Sequence, residues 1–230
     1  MSVHEQYTRT AAVIGGDACK KLKYSNVAVF GVGGVGGLIV EALARAGVGR
    51  IDVFDGDTVA ESNLNRQIIA LRSNIGKNKV DVIKDRILDI NPDCQVNAYR
   101  VFYLPENADD YPLDEYDYIA DAVDTVSAKI ELAVRADRLG IPMIAAMGAG
   151  NKLDPTKFEV ADIYKTQVCP LAKAVRKELK LRGVKRLKCV YSTEPSVKTE
   201  GGIVGSMPYV PGVMGYIMAC EIIKDLIKTI

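Results

Sequence analysis

The stretch VAVFGVGGVGGLIVEALARAGVGRIDVFDGD, residues 27–57, sets the architecture. An apolar run, Val27 to Phe30, leads into Gly31, Gly33 and Gly36 in the G-x-G-x-x-G spacing. A helical pattern follows, and a second apolar run ends at Asp55. Strand, Gly-rich turn, helix and strand in that order read as a nucleotide-binding βαβ unit. Glycines let backbone N–H groups approach phosphate, and the start of the helix favours an anion. The alternative is a tight turn with no ligand. Asp55 lies nineteen residues past Gly36, where a carboxylate can accept hydrogen bonds from ribose hydroxyls. Asp57 reads either as a further site residue or as a turn residue. The glycines do not say whether the nucleotide carries a hydride or a phosphoanhydride.

Along the rest of the chain, strands are expected at Val27–Phe30, Ile51–Asp55, Val96–Val101, Tyr118–Asp121 and Pro142–Met147. Helices are expected at Val35–Ala46, Lys79–Ile90 and Ala128–Leu139, the second with Val80, Ile83, Ile87 and Ile90 in one apolar stripe. This alternation predicts a doubly wound, mainly parallel α/β fold. Beyond Gly150 come a strand in DPTKFEVADI, a basic helix at Pro170–Leu181, a short strand in LKCVYS and an apolar helix at Val213–Ile227. The turn-rich stretch 193–212 before that last helix is long enough to be a moving segment over a site. A single domain over 1–230 is expected, with a nucleotide-binding core at about 20–150 and a substrate-side extension at about 151–230.

Composition excludes several classes. With 48% hydrophobic and 26% charged residues the 230-residue chain reads as globular, and no apolar run reaches membrane-spanning length. The expected location is cytoplasmic, with no membrane partner. A net charge of +1 gives no global field for nucleic acid, so such a partner needs a local patch. Five cysteines without a C-x-x-C pair argue against a disulfide framework and against structural zinc. His4 sits in the N-terminal tail, where no chemistry is expected of it.

The segment DGDTVAESNLNRQ, residues 55–67, separates hydride from phosphoanhydride chemistry. It places Asn63, Asn65, Arg66 and Gln67 directly after the second strand, and Lys79 follows in the first turn of the next helix. A dehydrogenase needs nothing like this. Two cations facing a Gly-rich cradle suit a triphosphate, Arg66 as a bidentate phosphate ligand and Lys79 as a compact charge. Asp124, in DAVDT, follows the fourth strand at the edge where such sheets bind ligands, and magnesium prefers carboxylate oxygen.

In these motifs the chain resembles the activating-enzyme superfamily of ThiF, MoeB, HesA and the ubiquitin-activating enzymes. The stretches that carry it are GVGGVGG, DGDTVAESNLNRQ, GKNKVDVIKDRILDINP and DAVDT. The resemblance implies ATP-dependent adenylation of a carboxylate. ATP would be bound by Gly31, Gly33, Gly34, Gly36, Asp55, Asn63, Asn65, Arg66, Gln67, Lys79 and Asp124, with Asp124 holding Mg²⁺. It further implies a homodimer in which Arg9, from YTRT, reaches the partner's ATP; a solvated arginine on a loose terminus is the other reading.

Within that superfamily the chain is similar to the tRNA threonylcarbamoyladenosine dehydratases. The stretches NLNRQI (63–68), GAGNKLDPTKFEVADIYKTQ (148–167), PLAKAVRKEL (170–179) and CVYSTE (189–194) carry this likeness. The implied reaction is cyclising dehydration of threonylcarbamoyladenosine in tRNA through an acyl-adenylate. The alternative is adenylation of the C-terminal glycine of a ubiquitin-like sulfur carrier. The block KAVRKELKLRGVKRLK at 173–188 has eight cations against one glutamate, which suits tRNA. Cys189 matches the family cysteine. It reads as a nucleophile that forms a thioester or takes sulfur from a cysteine desulfurase, its thiolate favoured by Lys185, Arg186 and Lys188, or as a buried apolar residue. The turn GAGN (148–151) admits three readings: backbone near substrate, carbonyls around a monovalent cation, or a strand exit.

Overall fold

The computed structural model describes residues 5–228; His4 lies outside the described residues. Two short N-terminal helices that the pattern does not announce, α1 (Thr8–Ile14) and α2 (Gly16–Lys23), precede the sheet. Strand β1 (Asn26–Phe30), helix α3 (Gly36–Ala46) and strand β2 (Arg50–Phe54) form the expected unit. Then come α4 (Lys79–Ile90), β3 (Gln95–Tyr99), β4 (Tyr118–Asp121), α5 (Val126–Leu139) and β5 (Met143–Ala146). The chain finishes with β6 (Phe158–Asp162), α6 (Pro170–Leu181), β7 (Lys188–Ser192) and α7 (Val210–Lys228). Strand β3 stops two residues short of the expected end, which frees Val101 and its neighbours for another use.

The seven strands form one sheet in the order β3-β2-β1-β4-β5-β7-β6, parallel except for β6 against β7. Strand alternation feeds two cores. Val27 and Val29 join one with Ile39 and Leu43 of α3, Ile83 of α4, and Met214, Met218 and Ile222 of α7. Ala28 and Phe30 join the other with Leu132 of α5 and Val175 and Leu179 of α6. Side chains alternate across a strand with period two, so a run apolar at every position is covered on both faces. Helix α7 is a core helix: a Cβ at Gly215 would lie 2.5 Å from the carbonyl oxygen of Val35. None of the helices over residues 5–228 is long and apolar enough to cross a membrane.

The strand order reverses between β1 and β4, which pair in parallel register from Val27↔Tyr118 to Phe30↔Asp121. A crevice opens at the carboxyl ends of strands at such a point.

Candidate nucleotide site

A cleft of about 700 Å³ occupies that crevice. Its floor is the turn after β1. Gly31 has φ +84°, and a Cβ there would meet the Ala122 carbonyl oxygen at 2.7 Å, so only glycine lets the turn pass beneath the end of β4. A Cβ at Gly36 would fall 1.8 Å from the Gly31 carbonyl oxygen. Gly36 therefore serves close packing of helix on turn; it does not line the cleft, whereas Gly31, Gly33 and Gly34 do. Val35, the residue before α3, has no side-chain acceptor to offer the first turn. That leaves the positive end of the helix available to an anion.

Asp55 ties this floor to the next wall. Its carboxylate accepts the Val32 N–H at 2.9 Å on one oxygen and the Asp57 N–H at 2.9 Å on the other. Each oxygen thus accepts one bond and keeps a second lone pair, and Asp55 lines the cleft. Lys79 heads α4 with only 6% of its side chain exposed, and its ammonium donates to Asp57 at 2.7 Å. Asp57 thus fixes where the buried cation points, a role the sequence left open. Arg66 donates to the Ser62 carbonyl at 2.9 Å and to Asn65 Oδ1 at 2.8 Å. Both acceptors are neutral, so its charge is free to meet phosphate.

Asn63 and Gln67 line the cleft and are almost fully buried. Asn63 Oδ1 accepts the Ala60 N–H at 3.1 Å and pins the turn that carries Arg66. Gln67 Oε1 and the Tyr103 hydroxyl, buried atoms of two cleft-lining residues, have no hydrogen-bond partner among the described residues. An unpaired buried polar atom is costly, and a polar ligand would pair it. Asn65 is a correction: it does not line the cleft, and its amide N–H donates to the Ser206 carbonyl at 3.1 Å.

The far end of the cleft is apolar, between Phe54, Val101, Phe102, Leu104 and Val123. Phe54 is stacked on Phe30 and Tyr99, with ring centroids 4.3 and 4.4 Å away. A flat heterocycle fits such a wall. Residues 101–104 are a contribution that sequence reading missed; the signal was an apolar VFYL run continuing past the third strand. Val204–Ser206 close the opposite side, also unforeseen in detail.

Asp124 is exposed at the rim, accepting the Thr125 hydroxyl at 3.4 Å. Among the described residues no group of three or more His, Cys, Asp or Glu could hold a metal alone. One rim carboxylate facing a phosphate cradle is a fit for Mg²⁺, which takes few protein ligands and completes its shell with phosphate oxygen and water. Asp121 is a wholly buried strand-end carboxylate, paired with the buried Lys129 at 2.8 Å and accepting the Val123 N–H at 3.1 Å. Burial pushes its pKa up, opposed by the lysine.

The structure places three further candidates. Cys189 is fully buried in β7, on the α5/α6 face and outside the cleft. Burial, then Asp162, push its thiol up to about 12, so the basic neighbours do not favour thiolate, and the geometry counts against a nucleophile. Lys188 is in fact held by Asp225 at 2.5 Å and Glu221 at 3.3 Å. The basic block is not one strip. Arg176 donates to the Ile163 and Thr166 carbonyls, and Arg182 pairs with Glu178. Helix α6 starts near the cleft edge, where Cys169 Sγ lies 3.5 Å from a Cβ built on Gly148, and runs away from it. Lys185 and Arg186 lie at the opposite edge, where Arg186 shares a second cleft with Tyr118 and Pro142 at the strand starts. Arg9 sits exposed on α1 and contributes nothing to this chain's own cleft.

The ThiF family profile matches residues 7–229. The tRNA threonylcarbamoyladenosine dehydratase of Bacillus subtilis (strain 168) is 42% identical, over 98% of this chain and 96% of its own length. Its Escherichia coli (strain K12) counterpart is 39% identical over 84% of this chain and 75% of that protein. The solved structure of the E. coli enzyme, TcdA, in complex with ATP superposes with a TM-score of 0.91 at 36% identity, covering 97% of this chain and 94% of that one. The complex with AMP gives 0.92 at 34% identity, over 99% and 98%. Glycine floor, arginine–lysine pair and rim aspartate all fall within the matched span, and the chain belongs to the ThiF family.

Proposed function

We propose that the protein is an ATP-dependent tRNA threonylcarbamoyladenosine dehydratase working through an acyl-adenylate. The observation that carries this is the cleft at the β1/β4 switch point, where an uncapped helix start, Arg66 and the buried Lys79 converge opposite an apolar slot. The relatives' names support the substrate, and the ATP and AMP complexes of TcdA support the nucleotide.

In this reading the adenine lies against Phe54, Val101 and Phe102, and the ribose hydroxyls donate to Asp55. The phosphates lie over Gly31–Val35. The substrate carboxylate attacks the α-phosphorus, and pyrophosphate leaves with its charge met by Arg66 and Lys79. Asp57 and Ser62 keep those two cations aimed. Magnesium held by Asp124, when bound, would neutralise charge on the phosphate oxygens. A nitrogen of the same modification then attacks the acyl carbon, loses its proton and expels AMP, for a net loss of water. We assign Gly33 and Gly34 to backbone contact with phosphate, Asn63 and Asn65 to shaping the Arg66 turn, and Gln67 to a ligand hydrogen bond. Arg9 is assigned to the partner's site in a homodimer, and tRNA is met by the exposed Lys173 and Lys177 of α6.

The test incubates the protein with Mg·ATP and tRNA bearing threonylcarbamoyladenosine, then weighs the nucleosides by mass spectrometry. The expected outcome is ATP-dependent loss of one water from that nucleoside. An unchanged mass with ATP still bound would redirect the search to the C-terminal glycine of a carrier protein.

A further inference from the structure

Past its anchored start, where the Glu194 carboxylate accepts the Leu153 and Asp154 N–H groups, the segment 193–209 is held over the cleft by two asparagines. Asn151, at φ +56°, accepts the Gly205 N–H on Oδ1 at 2.6 Å, while its own N–H donates to the Gly205 carbonyl at 2.8 Å. Its carbonyl also accepts the Val197 N–H at 2.8 Å. Beside it, a Cβ on Gly150 would lie 2.4 Å from Val204 Cγ1, so the segment rests directly on the 148–151 turn. The second hold is Asn65, whose amide donates to the Ser206 carbonyl and accepts from Arg66. Together with Val204, the held residues Gly205 and Ser206 wall the cleft. Yet Ile203 and Val204 are 73% and 72% exposed, so little apolar burial secures the strap and hydrogen bonds decide its position.

We infer that segment 193–209 is a latched strap that shields the acyl-adenylate from water, with Asn65 and Asn151 as its positioning residues; this rests on the adenylating reading above. A planar amide presents its oxygen and its N–H on opposite sides. An arginine that engages phosphate therefore orients Asn65 to hold Ser206, and nucleotide binding tightens the strap. The shielding has a definite chemical target. Water that adds its oxygen to the acyl carbon breaks the bond to the AMP oxygen. Carboxylate is regenerated, AMP leaves, protons pass to solvent, and ATP is consumed without product. Excluding water is the established use of closing segments.

Trypsin reads the strap directly, because the exposed Lys198 lies within it. The full-length protein, Asn65→Ala and Asn151→Gly are digested with and without Mg·ATP, and the cut at Lys198 is followed by mass. Glycine keeps the left-handed backbone at 151 while removing the Oδ1 acceptor. Loss of one hydrogen bond should speed that cut about fivefold in each variant, and ATP should slow it in the wild type but less in Asn65→Ala. In parallel, AMP formed per dehydrated nucleoside should rise in both variants. Equal cutting in all three proteins, indifferent to ATP, overturns the latch. A raised KM for ATP in Asn65→Ala with AMP per product unchanged in both variants overturns the shielding. If the wild type protects Lys198 with ATP but dehydrates no nucleoside, the substrate reading falls and the latch stands.

Discussion

At the scale of the residue, the two cleft cations were legible because their chemistry is local. Arg66 and Lys79 flank one turn and one helix start, and their spacing from the glycines is read along the chain. Arg66→Ala and Lys79→Ala should each lower pyrophosphate release by about 10²-fold or more, measured by coupled assay. Lys79→Ala carries an added penalty, since Asp57 then faces phosphate without its partner. Cys189 was not legible. The same LKCVYS run would serve an exposed or a buried strand, and only packing against α5 and α6 removes the thiol from solvent. With its pKa raised to about 12, Cys189 stays a neutral thiol at pH 8 and reacts only where that pH is exceeded by several units. Iodoacetamide at pH 8 should label the exposed Cys220 and spare Cys189 in the folded protein. Cys189→Ala should keep turnover within about twofold, because internal cyclisation needs no covalent enzyme intermediate.

Among the elements, the turn from β4 into α5 joins stability to the site. Asp121 holds the Val123 N–H, and Lys129 neutralises Asp121 from one helical turn inside α5. Lys129→Ala leaves a carboxylate buried without a cation and should cost about 3–5 kcal/mol in urea unfolding. Helix α6 shows where sequence pattern runs out. Eight cations in one block look like one surface, but three of them are engaged by backbone and carboxylate partners, and the remainder span both edges of the sheet. Lys173→Glu with Lys177→Glu should therefore weaken tRNA binding, and lower the slope of its salt dependence by about one for each phosphate that goes unneutralised. Lys185→Glu with Arg186→Glu should do far less. A binding isotherm at three salt concentrations separates the pairs.

Across the whole molecule, the cleft holds no arginine from α1, and Arg9 projects from the surface. An Arg9 acting on a partner's nucleotide would make activity recoverable from two dead chains. Equal mixtures of Arg9→Ala and Lys79→Ala chains should regain about a quarter of wild-type activity if dimers form at random; none recovered would rule out a shared site. The doubly wound order of elements, the nucleotide turn and the two cations were all readable along the chain. Periodicity and short-range motifs are properties of neighbouring residues, so they survive without a fold. Packing in three dimensions was needed to seal Cys189 and to set Gly36 against the turn where it was expected to bind. It also turned Asn65 from the cleft to a strap 141 residues away. Those outcomes depend on which strand lies beside which, and on what the last third of the chain lays over the first. Contacts between residues far apart in sequence leave no periodic trace in either segment.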